Sequence, residues 1–585
     1  MIEIYKNRSI LLSPINNMRG YNLNEKYYSI YCSKNNCFNL SFKGFSQCAL
    51  HCEKSRYQDD NFKGVLRAFY KLIKEYVANY ISEEKPSTPQ GFLDYIKNFD
   101  NEDESVRDRI KRFTPVDYIA FQGISFPMRK NTDNFDYFSF LKLFRGIHFV
   151  DCKIYANDVI ISGCKVSFSN CIFKNYFNIS NYKILSNFNI YVFEYCIFED
   201  KLFGSPGDDY EVIDFKVFKD CDFSKKLEFN GLSFIEKVFN NEDSHCFNTD
   251  GIVIENCIFS EDFKINNIVT NKVKIKKSIF NKKMEIKNAE IKDFSFIDSN
   301  VNGIFDAYKS VFVKAKFYKS IFKDFAAFEY VIFGDEKKEN ITDFIYTTFK
   351  DFSNFRNTKF KSGLNFSSAN IKQEPNFLNT NINLVGTDRE TLRIIKNSFE
   401  KVNNKIESNR FFIYEMMRYK KEVNSDVEES IDFLKLFFRV IFSGNEYVLN
   451  IMGSSQVFKN VMSAFSKKIV LSANYYISRF GESYIQPLMI FLFSIGIYTY
   501  ILEVHKDIFS EKPIAQYVVS LRNFVTQDWF ISISEFLNTC AANVPLFSKA
   551  LEKKSGIEFI SIMFFIWFGI LTWQIIIAVK RNTQH

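Results

Sequence analysis

Residues Tyr31 to Lys54 read YCSKNNCFNLSFKGFSQCALHCEK and gather four of the chain's twelve cysteines with one of its five histidines. Cys32 and Cys37 make one close pair, and Cys48, His51 and Cys52 make a second group. The stretch between them lets the two groups converge on a tetrahedral metal, and thiolate with imidazole suits zinc in a reducing compartment. Cys32, Cys37 and Cys48 are the expected ligands, with either His51 or Cys52 as the fourth. The competing reading is a run of small buried thiols. A zinc ion held by four side chains keeps no open position, so its role is structural.

Polar residues gather again near the C-terminus, in Asp528 to Phe547, DWFISISEFLNTCAANVPLF. This segment lies between two apolar stretches, PLMIFLFSIGIYTYILEV from Pro487 to Val504 and FISIMFFIWFGILTWQIIIAV from Phe559 to Val579. Each stretch approaches or reaches the roughly 20 residues that cross a bilayer core, and Lys580 and Arg581 close the second. The segment between them is apolar, but Glu535, Asn538, Thr539, Asn543 and Pro545 interrupt it. Irregular backbone at membrane depth is tolerated where protein or a water-filled cavity surrounds it. A re-entrant pore loop over 528–547 is therefore expected, lined by Glu535, Asn538, Thr539 and Asn543. The other reading is an amphipathic surface loop with Trp529 and Phe530 as interfacial anchors. The order of span, short helix, polar turn and span looks like the two-span subunit of a tetrameric cation channel. That likeness is one of topology: the turn reads NTCAANVP, and potassium-filter chemistry is not carried over.

What must position these groups is a long repetitive body. Between Phe193 and Ile371 a large apolar residue, usually Phe, falls at every fifth or sixth position: Phe193, Phe198, Phe203; Phe229, Phe234, Phe239; Ile286, Ile291, Phe296, Val301; Phe312, Phe317, Phe322. A small residue often stands two places earlier, as Cys171, Cys196, Cys221 and Cys257 do before Phe173, Phe198, Phe223 and Phe259. A helix repeats at about 3.6 and a strand at 2, so neither explains the beat. A solenoid with four short faces per coil does, and its stacked coils bury one continuous core. The steps alternate five and six at Phe344, Phe349, Phe355, Phe360, Phe366 and Ile371, so some corners take an extra residue.

The pattern resembles the pentapeptide-repeat family, whose motif is small, any, Leu or Phe, any, any. The resemblance covers roughly residues 144–372 and implies a right-handed quadrilateral β-helix, on the order of 50 Å long for about 4.8 Å per coil. NKIESNRFFIYEM, within 387–423, and FGESYIQP at Phe480 to Pro487 resemble the helical tail and junction of membrane-anchored bacterial members. The expected fold is therefore mixed: a β-helix, an α-helical neck and an α-helical transmembrane domain. The domains are an N-terminal region with the zinc site over 1–60, a capping region over 61–143, the β-helix over 144–372, the neck over 387–480 and the two-span domain over 481–585.

Local signals fill in the rest. Asn61 to Glu83 reads as an amphipathic helix, with Val65, Phe69, Leu72, Tyr76, Tyr80 and Ile81 at helical spacing, and caps the open end of the solenoid. Thr387 to Val423 reads as a helical hairpin that opens with a capping box of Thr387 and Glu390 and breaks at Asn403 and Asn404. Its buried stripes are Leu392, Ile395, Phe399 and Val402, then Ile406, Phe411 or Phe412, Met416 and Tyr419. Further helices are expected near Ser430 to Ser443 and Val457 to Arg479.

Across 585 residues the formal charge is +8, mild enough to admit an anionic or nucleotide-like ligand, or a protein partner, on the β-helix without requiring one. It argues against an acidic nucleic-acid mimic. Scattered cysteines and the lack of a leader-like start point to a cytosolic body, with both termini on the cytoplasmic side of an inner membrane. No Gly-rich phosphate loop, Ser/His/Asp constellation or paired His-Glu metalloprotease motif occurs, so no enzyme is expected. The functional expectation is a membrane effector. In it a cytosolic sensor gates a homo-oligomeric two-span pore, tetrameric by the channel likeness and with an architecture like that of bacterial antiviral effectors. The alternative is a membrane-tethered scaffold that recruits proteins without conducting ions.

Overall fold

The computed structural model describes residues 31–34, 37, 39–42, 44–54, 60–84, 86–98, 116–128, 141, 144–157, 165–180, 190–205, 211–241, 247–335, 339–442, 455–508, 528–542 and 556–583. The chain divides into two compact units, Met1–Thr387 and Asp388–His585.

The first unit is a parallel β-solenoid of about ten turns. Among the described residues every strand pair of the solenoid is parallel, and strands stack in register from coil to coil. Ile258 pairs with Ile279, Ile279 with Asn300 and Asn300 with Ile321, each 21 residues on. Within one such coil Ile291, Phe296, Val301, Ala307 and Phe312 point inward, all at most 1% exposed. Their steps are five, five, six and five, so in this coil a single extra residue is added to a strict repeat of five. Because coils repeat in register, like rings lie over like: Phe149, Phe168, Phe193, Phe218 and Phe239 form a column with centroids 4.7 to 5.5 Å apart.

The corners explain the uneven beat. Tyr346, Asn357, Ser368 and Asn379 all adopt left-handed backbone, with φ between 53° and 57°. The first three fall inside the five-residue steps from Phe344, Phe355 and Phe366, so the left-handed residue tightens the short corner. Of the six-residue steps, Phe349 to Phe355 has no positive-φ residue, whereas Phe360 to Phe366 holds Gly363 at φ 113°. Asn tolerates this conformation better than most residues, whereas Tyr346 holds it against its steric preference.

The small residues two places before each large one carry the polar accounting. Cys171 and Cys196 donate to the Phe149 and Phe168 carbonyls of the preceding coil at 3.3 and 3.5 Å. Where Ser or Thr takes the position the same bonds shorten, as in Ser320 to Phe296 O at 3.0 Å and Thr358 to Phe328 O at 2.6 Å. The hydroxyls also accept: the Ser278 amide donates to Ser299 Oγ at 3.1 Å. The small residue is thus a filler and a backbone partner at once, which closes groups the short strands leave open.

The solenoid is longer than the sequence beat implies. Its first strand is Val116–Gln122, paired with Phe144–Val150, and its last is Asn381–Ile382. Residues 129–140 intervene between the first two coils and hide that register in the sequence. The capping helix α1 (Asp60–Glu84), followed by α2 (Gln90–Lys97), lies on this first coil. Phe69 packs on Phe126, Tyr76 on Phe121 and Tyr80 on Phe144, and the Tyr76 hydroxyl donates to Ala120 O at 3.0 Å.

The second unit is helical: α3 (Arg389–Lys401), α4 (Lys405–Phe442), α5 (Ser455–Ser478), α6 (Ile485–Ile508), α7 (Asp528–Ala542) and α8 (Glu558–Thr583). Its start differs from the expected capping box. Asp388 is the N-cap, its carboxylate accepting from the Glu390 and Thr391 amides at 3.1 and 3.4 Å. Thr387 is fully buried and closes the last coil instead, donating to Asn383 O at 2.8 Å and accepting from the Leu364 amide at 3.1 Å. The break at Asn403 and Asn404 stands: Asn403 is left-handed and Asn404 Oδ1 caps α4 through the Glu407 amide. Val402 and Ile406, expected in the buried stripes, flank that turn and are 68% and 63% exposed. The expected helix at 430–443 is the continuation of α4, since no Pro or Gly interrupts it before Gly444.

Candidate functional site

The Cys-rich segment folds as a knuckle. Tyr31 and Leu40 bridge in antiparallel fashion, the Cys32 amide bonds Asn39 O at 2.9 Å, and a tight turn donates the His51 and Cys52 amides to Cys48 O at 3.0 and 2.9 Å. This turn aims the Cys48 and His51 side chains the same way. Cys37 Sγ lies 3.8 Å from Cys48 Sγ, and His51 Nδ1 lies 3.3 Å from Cys48 Sγ and 3.4 Å from Cys32 Sγ. All four ligand atoms fall within 4.8 Å of one another. A tetrahedron with Zn–S of about 2.3 Å has S···S edges of about 3.8 Å and somewhat shorter S···N edges, which the Cys37–Cys48, Cys48–His51 and Cys32–His51 separations match. Of the two residues proposed as fourth ligand, His51 joins the cluster. Cys52 is turned away, its thiol 3.9 Å from Ala49 O, and burial pushes that thiol up.

The shared hydrogen bond of the Cys37–Cys48 pair lowers the Cys48 thiol, with His51 acting in the same direction, and pushes Cys37 up. Metal binding needs the thiols deprotonated, which makes affinity rise with pH. Asn39 Nδ2 lies 4.0 Å from Cys48 Sγ, placed to support a thiolate.

Residues outside the motif complete the site. Lys54 is fully buried, and its ammonium donates to Leu50 O and Cys52 O at 3.3 and 3.1 Å and lies 4.9 Å from the centre of the Phe69 ring. Burial lowers it to about 8, offset in part by Cys52 and Cys48. Nothing in the sequence marks this lysine apart from its place two residues beyond the last cysteine.

The C-terminal segment is a different kind of site. Two helices are long and apolar enough to cross a membrane, Ile485–Lys506 and Glu558–Thr583. They pack as an antiparallel pair: Phe491 meets Phe568, Trp567 donates to Ser494 Oγ at 3.0 Å and Tyr498 donates to Ser561 Oγ at 3.0 Å. Outside that seam the large side chains point away, with Phe493 71% and Trp573 62% exposed. The seam ends in a polar joint. Ser478 donates to Gln574 Oε1 at 2.8 Å and Asn582 to Glu482 O at 3.0 Å, while Arg581 donates to Phe480 O and lies over the Phe412 ring at 4.3 Å. Arg479, Phe480 and Gly481 are all left-handed there, a strained turn held by these bonds.

Between the two long helices, α7 is helical through Ala542. Asn538 anchors it to the start of α8, donating to Gly556 O at 2.7 Å and accepting from the Phe559 amide at 3.1 Å. Thr539 turns its hydroxyl back onto Glu535 O at 2.7 Å, and Glu535 is exposed. Asn543, along with the polar turn after α7, lies outside the described residues.

Compared with protein families, curated proteins and solved structures, the chain matches none. Its fold defines a parallel β-solenoid repeat protein that also carries two helices fit to cross a membrane.

Proposed function

We propose that this chain is a membrane-tethered pentapeptide-repeat protein, in which the α6–α8 hairpin embeds in the bilayer and the solenoid presents a long surface to a protein partner. The observation that carries this reading is the direction of the apolar side chains on α6 and α8. A core helix of a soluble protein buries its large residues, whereas here Met489, Leu492, Phe493, Ile566, Trp573 and Ile576 all face outward. The steps of five and six, with a small residue two places before the large one, support the pentapeptide-repeat kinship. The Cys32, Cys37, Cys48 and His51 set is read as a structural zinc site, because four protein ligands leave no position for substrate.

The test is extraction of membranes at alkaline pH, which releases peripheral proteins and retains embedded ones. Retention of the full chain, and release of a chain ending before Ile485, is the expected pair of outcomes. Release of the full chain sinks the tether.

A gated pore is the second reading, favoured by exposed Glu535 on a 15-residue helix too short to span a bilayer. Ion flux from liposomes through wild-type protein and Glu535→Ala decides it. Flux that falls with the substitution supports a pore, and no flux from oligomeric wild-type protein ends it.

A further inference from the structure

A solenoid has two ends, and an uncovered end presents strand groups that would pair with any passing edge. The N-terminal end here is the coil that begins with Val116–Gln122 and Ser125–Phe126. Four groups of this coil are met by the knuckle and by α1. The Ser125 amide donates to Leu50 O at 2.8 Å and its hydroxyl to His51 O at 3.1 Å. Lys34 donates to Gly123 O at 3.2 Å, and Tyr76 takes Ala120 O. Two of these partners, Leu50 and His51, belong to the turn that aims Cys48 and His51 at the metal position. Lys34 lies on the other arm, between Cys32 and Cys37. Lys54 then ties the same turn to Phe69 of α1, which packs on Phe126.

Among the described residues, the buried apolar side chains of the knuckle are Cys32, Cys37, Cys48, Ala49, Leu50 and Cys52, several of them ligands themselves. A segment of this size needs a staple, and the free energy of metal binding then becomes its folding free energy.

We propose that metal binding at Cys32, Cys37, Cys48 and His51 is what closes the N-terminal end of the solenoid, so that the first coil is ordered only while the knuckle is loaded. This rests on the zinc reading of the four ligands. It adds that the metal acts on strands outside its own loop, through Leu50, His51 and Lys34.

The experiment uses full-length protein in lipid nanodiscs, with zinc content measured alongside hydrogen exchange before and after chelation and after zinc is returned. The expected result is about one zinc per chain, and exchange over residues 116–126 at least about tenfold faster after stripping, restored by zinc. Residues 258–382 stay unchanged. Zinc that leaves while protection at 116–126 holds within about twofold overturns the cap and spares the metal site. Protein that never holds zinc overturns both. Because Cys48→Ser is expected to unfold the knuckle outright, Lys34→Met is the second variant. It touches no ligand, so zinc should be retained while exchange at 116–126 rises. Zinc retained with exchange unmoved in Lys34→Met, together with no effect of stripping, leaves the proposal without support and rejects it.

Discussion

The solenoid and the α6–α8 hairpin are built from the same large apolar residues and turn them in opposite directions. In the solenoid Phe280, Phe296, Phe317 and Phe328 are all buried to the last percent. In the hairpin Phe493, Ile566 and Trp573 stand outward from a narrow seam of Ser494, Tyr498, Ser561 and Trp567. Composition alone does not separate these cases. What does is the polar accounting: coils close their backbone groups on one another, whereas each long helix satisfies its own and is free to meet lipid.

The sharpest way to break this contrast is at the centre of the solenoid. Phe328 packs against the rings of Phe305, Phe317, Phe344 and Phe355. Phe328→Ala should cost about 3–5 kcal/mol by denaturant unfolding of the first unit. In the hairpin the costly change is instead on the outside. Phe493→Arg should disfavour insertion by about 2.5–3.5 kcal/mol in a membrane-insertion assay, while Val212→Arg on the exposed solenoid surface stays within about 0.5 kcal/mol in unfolding. Equal effects at the two sites would show that the hairpin meets water.

A finer probe is Ser299→Ala, which removes the acceptor of the Ser278 amide. It should cost about 1–3 kcal/mol by the same unfolding measurement, because a buried N–H is left without a partner.

The smallest effect is electrostatic. Burial raises Glu285, yet Lys283, Asn266 and Lys264 around it prevail and bring it down to about 2 from an ordinary 4.5. A depressed carboxylate stabilises the fold at pH above about 4.5, and that contribution disappears as pH falls through about 2. The solenoid should lose about 1–2 kcal/mol over that window after allowance for solvent screening. Glu285→Gln should flatten that part of the stability–pH curve.

The sequence was legible where spacing is the cause. The Phe beat depends on residues five or six apart, and it led to the coils between Phe193 and Ile371. It ran out where the partners are distant. The first coil begins at Val116, but the intervening residues 129–140 separate it from Phe144. Thr387 looked like a helix cap because Glu390 follows it; its hydroxyl serves Leu364, 23 residues earlier, and Asp388 does the capping. Cys32, Cys37 and Cys48 were readable from clustering, yet the choice of His51 over Cys52 is made by a turn. Asn538 read as a pore lining; that its amide also pins the start of α8 had no signal in the sequence. The joint of Phe412, Phe480 and Arg581 spans more than 160 residues of chain and leaves no pattern at all.

Over the coils from Ile258 to Ile321 the register of 21 residues makes the solenoid a unit of length as well as a support. Ile258, Ile279, Asn300 and Ile321 occupy equivalent places, and Ser278, Ser299 and Ser320 pass the same hydrogen bonds along. Excising Ile279 to Ser299 would join Ser278 to Asn300 with every inward residue still inward. The reach of the molecule can therefore shorten or grow by whole coils, about 4.8 Å at a time, without redesign of either end.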